Sequence, residues 1–119
     1  MGISTIMHQG KKIYLINFSE SIKTKEETLS LITATREEFI KNPLNSVLAL
    51  FDVTNAFFHF DIFKAFREFE ERCAQYEKKV AILGLKGMRK TTFTSIAGNK
   101  KSIRVFSSES DAMKWLTSD

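Results

Sequence analysis

Cysteine is nearly absent from the sequence, since Cys73 is the one cysteine among 119 residues. A single thiol cannot form an internal disulfide, which excludes the class of small disulfide-stapled domains and favours a reducing compartment. Long apolar runs are also lacking, and no stretch approaches the roughly 18 apolar residues that a membrane-spanning helix needs. The short apolar start, followed by Lys11 and Lys12, does not have the form of a secretory signal. These absences predict a cytoplasmic protein.

Histidine and proline are scarce as well. The two histidines, His8 and His59, lie in separate segments, and neither a Cys-x-x-Cys nor a His-x-x-x-His spacing occurs. The sequence therefore predicts no metal site and no bound cofactor. Pro43 is the only proline, and there is no repeat, low-complexity tract or linker-like stretch. Residues 1–119 are expected to form a single domain, because this length lies within the usual range of one domain.

Phenylalanine, by contrast, is abundant, with eleven Phe beside one Trp and two Tyr. Hydrophobic residues make up 43% of the chain and charged residues 27%, proportions that are typical of a globular protein and exclude a disordered one. So many rings predict a large apolar interior, or an interior together with an apolar surface patch.

The net charge of +4 is concentrated in the second half of the chain, where residues 78–108 contain eight basic and no acidic residues. Residues 84–91 (GLKGMRKT) resemble a phosphate loop, but Arg89 stands where that motif requires glycine, so nucleotide hydrolysis is not predicted. A glycine-containing turn into a helix start still favours anions through its free amides and the helix dipole. The candidate anion-binding residues are Lys86, Gly87, Arg89 and Lys90, and the alternative is a solvated basic turn. Nucleic-acid binding is not expected, because Phe93 is the only aromatic residue near this turn.

Hydrophobic periodicity predicts an alternation of strands and helices. Strands are predicted at residues 3–7, 12–18, 46–53, 80–85 and 103–106. Helices are predicted after a Thr24 cap, from Asp61, from about Arg89 and after a Ser108 cap. The helix from Asp61 carries one core-facing stripe at helical intervals. The stripe consists of Ile62, Phe66, Phe69, Cys73 and Tyr76. This order implies an α/β fold with a mostly parallel sheet of four or five strands and about four helices.

Four strings occur within this order of elements. They are residues 50–56 (LFDVTNA), 60–61 (FD), 80–87 (VAILGLKG) and 105–116 (VFSSESDAMKWL). Together they resemble the SpoIIAA-like group of STAS domains, a family named for sulphate transporters and anti-sigma-factor antagonists. The resemblance covers roughly residues 10–117 of the chain. It implies a single SpoIIAA-like domain of a mostly non-catalytic kind, which switches protein partners or binds a ligand.

In the antagonist branch of that family, a phosphorylatable serine begins the helix after the Asp-containing strand. The matching position in this sequence falls at Phe60 or Asp61, and no Ser or Thr lies between Asn55 and Glu77. The chain therefore departs from the phosphorylation switch of the family. Asp61 either imitates a permanently charged state or caps its helix.

No residues form a recognisable active site, so the chain is predicted not to be an enzyme. Cys73 lies on the inward stripe of its helix, where a free thiol behaves as a small hydrophobic residue. His59 and Asp61 follow a predicted strand, which is where α/β proteins commonly bind ligands. An acid–base pair at these two residues is the alternative to a loop histidine beside a capping aspartate.

Two functional hypotheses fit these residues. The first is a non-enzymatic regulatory domain that binds a protein partner through residues 54–63, because Phe57, Phe58 and Phe60 in one short connection exceed what packing requires. Its candidate partner-binding residues are Thr54, Asn55, Phe57, Phe58, His59 and Asp61. The second is a carrier or sensor of a small anionic or lipophilic ligand, which a pocket lined by Phe63 and Phe66 would favour. Self-association into a homodimer is left open.

Overall fold

The computed structural model describes residues 2–18, 24–54, 56, 59–85 and 101–118. These residues form five strands and three helices. In chain order they are β1 (Ile3–His8), β2 (Lys11–Asn17), α1 (Lys25–Phe39), β3 (Val47–Asp52), α2 (Phe60–Cys73), β4 (Glu77–Leu83), β5 (Ile103–Phe106) and α3 (Glu109–Thr117). The helix predicted from about Arg89 lies outside the described residues. The alternation of strands and helices confirms the predicted α/β class.

The five strands form one sheet in the order in which they occur in the chain, β1-β2-β3-β4-β5. β1 is antiparallel to β2, and the pairs β2–β3, β3–β4 and β4–β5 are parallel. Gln9 and Gly10 join the first two strands in a tight turn with φ values of 52° and 77°. Two successive positive φ angles are typical of a type I′ turn, whose twist matches that of paired strands. The predicted strand at residues 3–7 is therefore the edge strand β1.

Side-chain caps determine where the first and last helices begin. Thr24 Oγ1 accepts a hydrogen bond from the Glu27 amide at 3.1 Å and donates one to Glu27 Oε1 at 3.0 Å. Ser108 Oγ accepts from the Asp111 amide at 3.4 Å at the start of α3. Each cap satisfies a backbone N–H that the first helical turn leaves without an internal partner. Both caps were predicted from the sequence and are confirmed.

Helices α1 and α2 cover one face of the sheet and enclose a core of phenylalanine rings. The ring centroids of Phe18 and Phe66 lie 5.2 Å apart, and those of Phe39 and Phe69 lie 5.5 Å apart. Phe51 of the central strand contacts this group, with its ring 6.0 Å from that of Phe69. Edge-to-face packing of this kind adds about 0.5–1.5 kcal/mol per pair beyond simple burial. Many of the eleven Phe therefore serve the interior, as their number predicted.

Helix α3 covers the opposite face of the sheet, where it packs on a smaller apolar cluster. The buried members of this cluster are Ile13, Leu48, Leu50, Ala81, Ala112 and Leu116. Two lysines from the sheet bind the free carbonyls at the end of the helix. Lys79 Nζ donates to Trp115 O at 2.9 Å and to Ser118 O at 2.7 Å, and Lys11 Nζ donates to Thr117 O at 3.1 Å. These cations favour the negative end of the helix dipole and hold α3 against the sheet.

The predicted stripe of α2 is confirmed for Ile62, Phe66, Phe69 and Cys73, all of which are buried. The placement of Tyr76 on the same helix is wrong, because α2 ends at Cys73 and Tyr76 lies in the turn that follows. The Tyr76 amide donates to Cys73 O at 2.9 Å, and its side chain still packs against the core. Within the part of the chain that the structure describes, no helix combines the length and apolarity needed to cross a bilayer.

Candidate functional site

The carboxyl ends of the parallel strands meet at one edge of the sheet. α1, α2 and α3 each follow one of these strands and so begin at the same edge. Ligands and partners of α/β sheets commonly bind beyond this edge, because loops and helix starts converge there. Three of the predicted partner-binding residues, Thr54, His59 and Asp61, fall here within the described residues.

Thr54 is held firmly at the end of β3. Its amide donates to Asp52 Oδ1 at 3.0 Å, and the preceding amide of Val53 donates to Leu83 O at 2.9 Å. Gly84, at the end of β4, approaches so closely that a Cβ built on it would lie 2.6 Å from the Thr54 amide nitrogen. Gly84 also has φ +97°, which ends β4 at Leu83 rather than at residue 85 as predicted. Thr54 therefore fixes the direction in which the chain leaves β3.

His59 is the cap of α2. Its backbone is extended, and its Nδ1 accepts a hydrogen bond from the Asp61 amide at 3.1 Å. The prediction that Asp61 is the capping residue is wrong, since the helix begins one residue earlier, at Phe60. Asp61 instead occupies the first turn of the helix, where a carboxylate is favoured by the helix dipole. Because Nδ1 accepts this bond, a neutral His59 imidazole carries its proton on Nε2.

Asp61 joins the starts of two helices. Its Oδ2 accepts a hydrogen bond from Lys25 Nζ at 3.2 Å, and Lys25 is the first residue of α1. The same oxygen lies 3.7 Å from His59 Nδ1. The Lys25 and Asp61 side chains are 37% and 48% exposed, so water and other molecules can reach the pair. Lys25 therefore offsets part of the negative charge of Asp61.

Phe60 lies between His59 and Asp61 in the sequence. It is 77% exposed, although it is the first residue of a well-capped helix. The aromatic ring is thus presented on a fixed helical turn and contributes little to the core. His59 and Asp61 flank Phe60 in the sequence, and Lys25 of α1 binds Asp61 across the helix pair. These four residues are called the Phe60 surface below.

Some predicted site residues lie outside the part of the chain that the structure describes. They are the partner-binding candidates Asn55, Phe57 and Phe58 and all four anion-binding candidates, Lys86, Gly87, Arg89 and Lys90. Sequence reasoning missed Lys25 and Gly84 as parts of this edge. Lys25 could not be found from a motif, because it lies 36 residues from Asp61 and meets it only through packing of α1 on α2. Gly84 carried a signal, since a glycine at the end of an apolar run often marks a close approach.

The carrier hypothesis expects a pocket lined by Phe63 and Phe66, and the structure shows both side chains packed at the core. Phe66 is buried against Phe18, and Phe63 packs against the same core. A groove of about 290 Å³ lies instead between the outer surfaces of α1 and α2. It is lined by Leu29, Ile32, Thr33, Arg36, Ala65, Glu68, Phe69 and Arg72. Helical spacing places Leu29 and Ala65 at one end of the groove and Arg36 and Arg72 at the other.

The remaining candidates for chemistry are a metal-binding cluster and the thiol of Cys73. No cluster of three or more His, Cys, Asp or Glu side chains within the described ranges is arranged to hold a metal ion. Cys73 is completely buried, and burial, reinforced by Glu77 and Glu70, raises its pKa to about 12. A thiol in this state is protonated at neutral pH and is a poor nucleophile. The prediction that Cys73 packs as a small hydrophobic residue is confirmed.

Comparisons with known proteins concern the fold. No protein-family model matches the sequence, and no curated protein matches it either. A solved structure similar to this chain is that of an uncharacterized protein from the DUF3478 family, with a SpoIIAA-like fold, from Shewanella loihica PV-4. The two agree with a TM-score of 0.68 and 14% sequence identity, over 96% of this chain and 91% of that chain.

The chain has a SpoIIAA-like fold. This confirms the resemblance that four short strings of the sequence indicated, over nearly the whole chain. At 14% identity the likeness carries the fold and no function. In this fold the Phe60 surface lies at the start of α2, the helix that follows β3.

Proposed function

We propose that this chain is a non-enzymatic protein-interaction domain whose partner binds at the Phe60 surface. The observation that carries the proposal is the 77% exposure of Phe60 on a fixed turn of α2. Burying an aromatic ring in a partner's pocket is the commonest kind of interface anchor. Leaving such a ring in water has no structural benefit for the isolated domain.

The surroundings of Phe60 also suit an interface. Lys25, His59 and Asp61 supply polar groups close to Phe60 in the sequence or through the Lys25–Asp61 pair, and protein-binding surfaces commonly combine an apolar centre with such a polar rim. The cap of α2 and the Lys25–Asp61 ion pair hold this rim before any partner arrives. A surface that is ordered in advance loses less conformational entropy on binding.

Affinity purification with matched baits tests the proposal. The baits are the wild-type chain, Phe60→Ser and Leu44→Ser. Leu44 is 64% exposed and precedes β3 at the opposite edge of the sheet, so its substitution removes similar apolar area far from the proposed site. We expect a protein retained by wild type and by Leu44→Ser to be lost from Phe60→Ser. A partner retained equally by all three baits would place the interface elsewhere.

A second candidate function, a carrier of a small amphipathic anion, is favoured by the groove between α1 and α2. Its apolar end at Leu29 and Ala65 suits a hydrocarbon tail, and Arg36 with Arg72 suits a carboxylate. The test is calorimetric titration with a medium-chain fatty acid and with the alcohol of equal length. The carrier hypothesis requires the acid to bind more tightly than the alcohol, and Arg36→Gln to remove that difference. Equal affinities for the acid and the alcohol, or no binding of either, would exclude this groove as the ligand site.

A further inference from the structure

The outer edge of β1 has unpaired backbone groups within the described part of the chain. Because the His8–Lys11 pair flanks the two-residue turn, the backbone bonds between β1 and β2 alternate from there along the strand. The Asn17 amide donates to Gly2 O at 2.7 Å, as this alternation requires. The N–H and C=O groups of Ile3, Thr5 and Met7 consequently point away from the sheet. Such an edge is a template for a further strand.

Nothing in the sequence of β1 discourages pairing. The strand reads Ile-Ser-Thr-Ile-Met-His and contains neither Lys, Arg, Asp or Glu nor proline. Edge strands that remain unpaired usually carry a charge, a proline or a bulge. Met7 is 69% exposed and Ile6 is 37% exposed, so the strand also presents apolar side chains to water. These are properties of an interface strand.

A groove runs beside this edge on the face covered by α1. It has a volume of about 450 Å³ and is lined by Ile3, Ser4, Thr5, Tyr14, Ala34, Glu37, Glu38 and Lys41. Ile3 and Thr5 pair with Ile16 and Tyr14 across β1 and β2, so their side chains lie on the α1 face. Met7, two residues further along the strand, projects on the same face.

We propose that β1 pairs antiparallel with β1 of a second copy of this chain, about a two-fold axis at Thr5. This register uses all three outward-facing residues, since Thr5 then opposes Thr5 and Met7 opposes Ile3 of the other copy. Each exposed Met7 side chain lies next to the Ile3 that lines the other copy's groove. The sheet becomes continuous through both copies, at an edge distant from the Phe60 surface.

Charge complementarity favours a second copy over an unrelated strand. Lys12 pairs with Met7 across β1 and β2 and lies on the same face. In the proposed register, Met7 of the second copy lies opposite Ile3 of the first copy. Lys12 of the second copy is the cross-strand neighbour of that Met7 and so lies on the same line across the sheet. Ile3 lines the groove together with Glu37, Glu38 and Lys41, and Lys41 Nζ already pairs with Glu38 Oε2 at 3.1 Å, so Glu37 is the carboxylate that Lys12 of the second copy would approach. Two such contacts form, one on each side of the axis, so a chain of net charge +4 brings opposite charges together at this edge.

Disulfide trapping with two neighbouring cysteine substitutions tests the register. Across the axis, the two Thr5 Cα atoms would lie about 5.5 Å apart, inside the range that a disulfide spans. The two Ser4 Cα atoms would lie about 8 Å apart, beyond that range. Both positions are exposed, so neither substitution should disturb folding. Cys73 is buried and does not compete for the oxidant.

Under mild oxidation with glutathione disulfide, we expect Thr5→Cys to form at least tenfold more covalent dimer than Ser4→Cys. The mass of the wild-type chain measured by sedimentation should be twice the monomer mass of 13.7 kDa at sub-millimolar concentration. A wild-type chain that sediments at 13.7 kDa at the highest soluble concentration would overturn the proposal. Equal cross-linking of the two variants would also overturn it, because collisions or another register would then explain the product.

Discussion

Gly84 packs against Thr54 so tightly that there is no room for a side chain between the ends of β3 and β4. A Cβ on Gly84 would lie 2.6 Å from the Thr54 amide nitrogen and 2.7 Å from its Cα. The two residues follow neighbouring strands of the sheet, which are also tied by the hydrogen bond from the Val53 amide to Leu83 O. This contact fixes the end of β3 against the end of β4.

Replacing Gly84 by alanine should destabilise the domain more than the same change at Gly10. Both glycines have positive φ, and an alanine in a left-handed conformation costs about 1–2 kcal/mol. Gly10 has open space around it, whereas at Gly84 the backbone of Thr54 must also move. Urea unfolding of the two variants measures the difference. Equal losses of unfolding free energy would show that the close approach is unimportant.

Truncating Phe69 to alanine should lower the unfolding free energy by about 3–5 kcal/mol, through lost burial and the cavity that remains. Phe69 is 6% exposed and its ring meets those of Phe39 and Phe51. Phe60→Ala is the matched control on the same helix, and it should change stability by less than about 0.5 kcal/mol. Thermal and urea unfolding check both values. A Phe69→Ala variant as stable as the control would mean that α2 packs differently.

Stability should fall as the pH rises above 9 because of Cys73. Its pKa is raised from 9.0 to about 12 in the folded state, so between these values the native thiol keeps a proton that the unfolded chain releases. Release of a proton on unfolding lowers the unfolding free energy by up to about 1.4 kcal/mol per pH unit. Unfolding curves at pH 8 and pH 10 should show a steeper loss for wild type than for Cys73→Ala. Identical losses would contradict a protonated, buried thiol.

Phosphorylation should not control the Phe60 surface. No Ser or Thr lies between Asn55 and Glu77, and Thr54, the nearest one before this stretch, is partly buried against Gly84. Incubation with ATP and an extract of the source organism, followed by peptide mapping, should find no phosphate on residues 54–77. Phosphate on Thr54 would contradict this prediction.

The sequence was sufficient to predict the elements whose periodicity is strong. Phe66, Phe69 and Cys73 recur at helical spacing, and burial of one helix face requires that spacing. Tyr76 continued the same spacing past the end of α2, because a turn after a helix can keep a side chain on the core side. The sequence predicts Asp61 as the cap of α2, because aspartate is a far commoner cap than histidine. The cap is His59 instead, since hydrophobic periodicity does not define the start of a helix to within one residue.

The candidate surfaces depend on contacts that no local pattern contains. Lys25 and Asp61 meet because α1 packs beside α2, and the groove beside β1 exists because Glu37 and Glu38 lie over the sheet edge. His59 and Asp61 lie beyond the carboxyl end of a strand, as a general rule for α/β sheets predicts. Phe60 was noticed as part of a Phe-rich connection, but its exposure could be known only from the structure.

The most direct measurement of the central claim is the affinity of the captured partner for three forms of the chain. Isothermal titration of wild type, Phe60→Ala and Leu44→Ala compares an anchor at the proposed surface with an exposed apolar residue at the opposite edge. Loss of a central aromatic anchor costs at least about 2 kcal/mol of binding free energy, so we expect Kd to rise about thirtyfold or more for Phe60→Ala. Leu44→Ala should bind within twofold of wild type. Equal affinities for wild type and Phe60→Ala would contradict the proposed function.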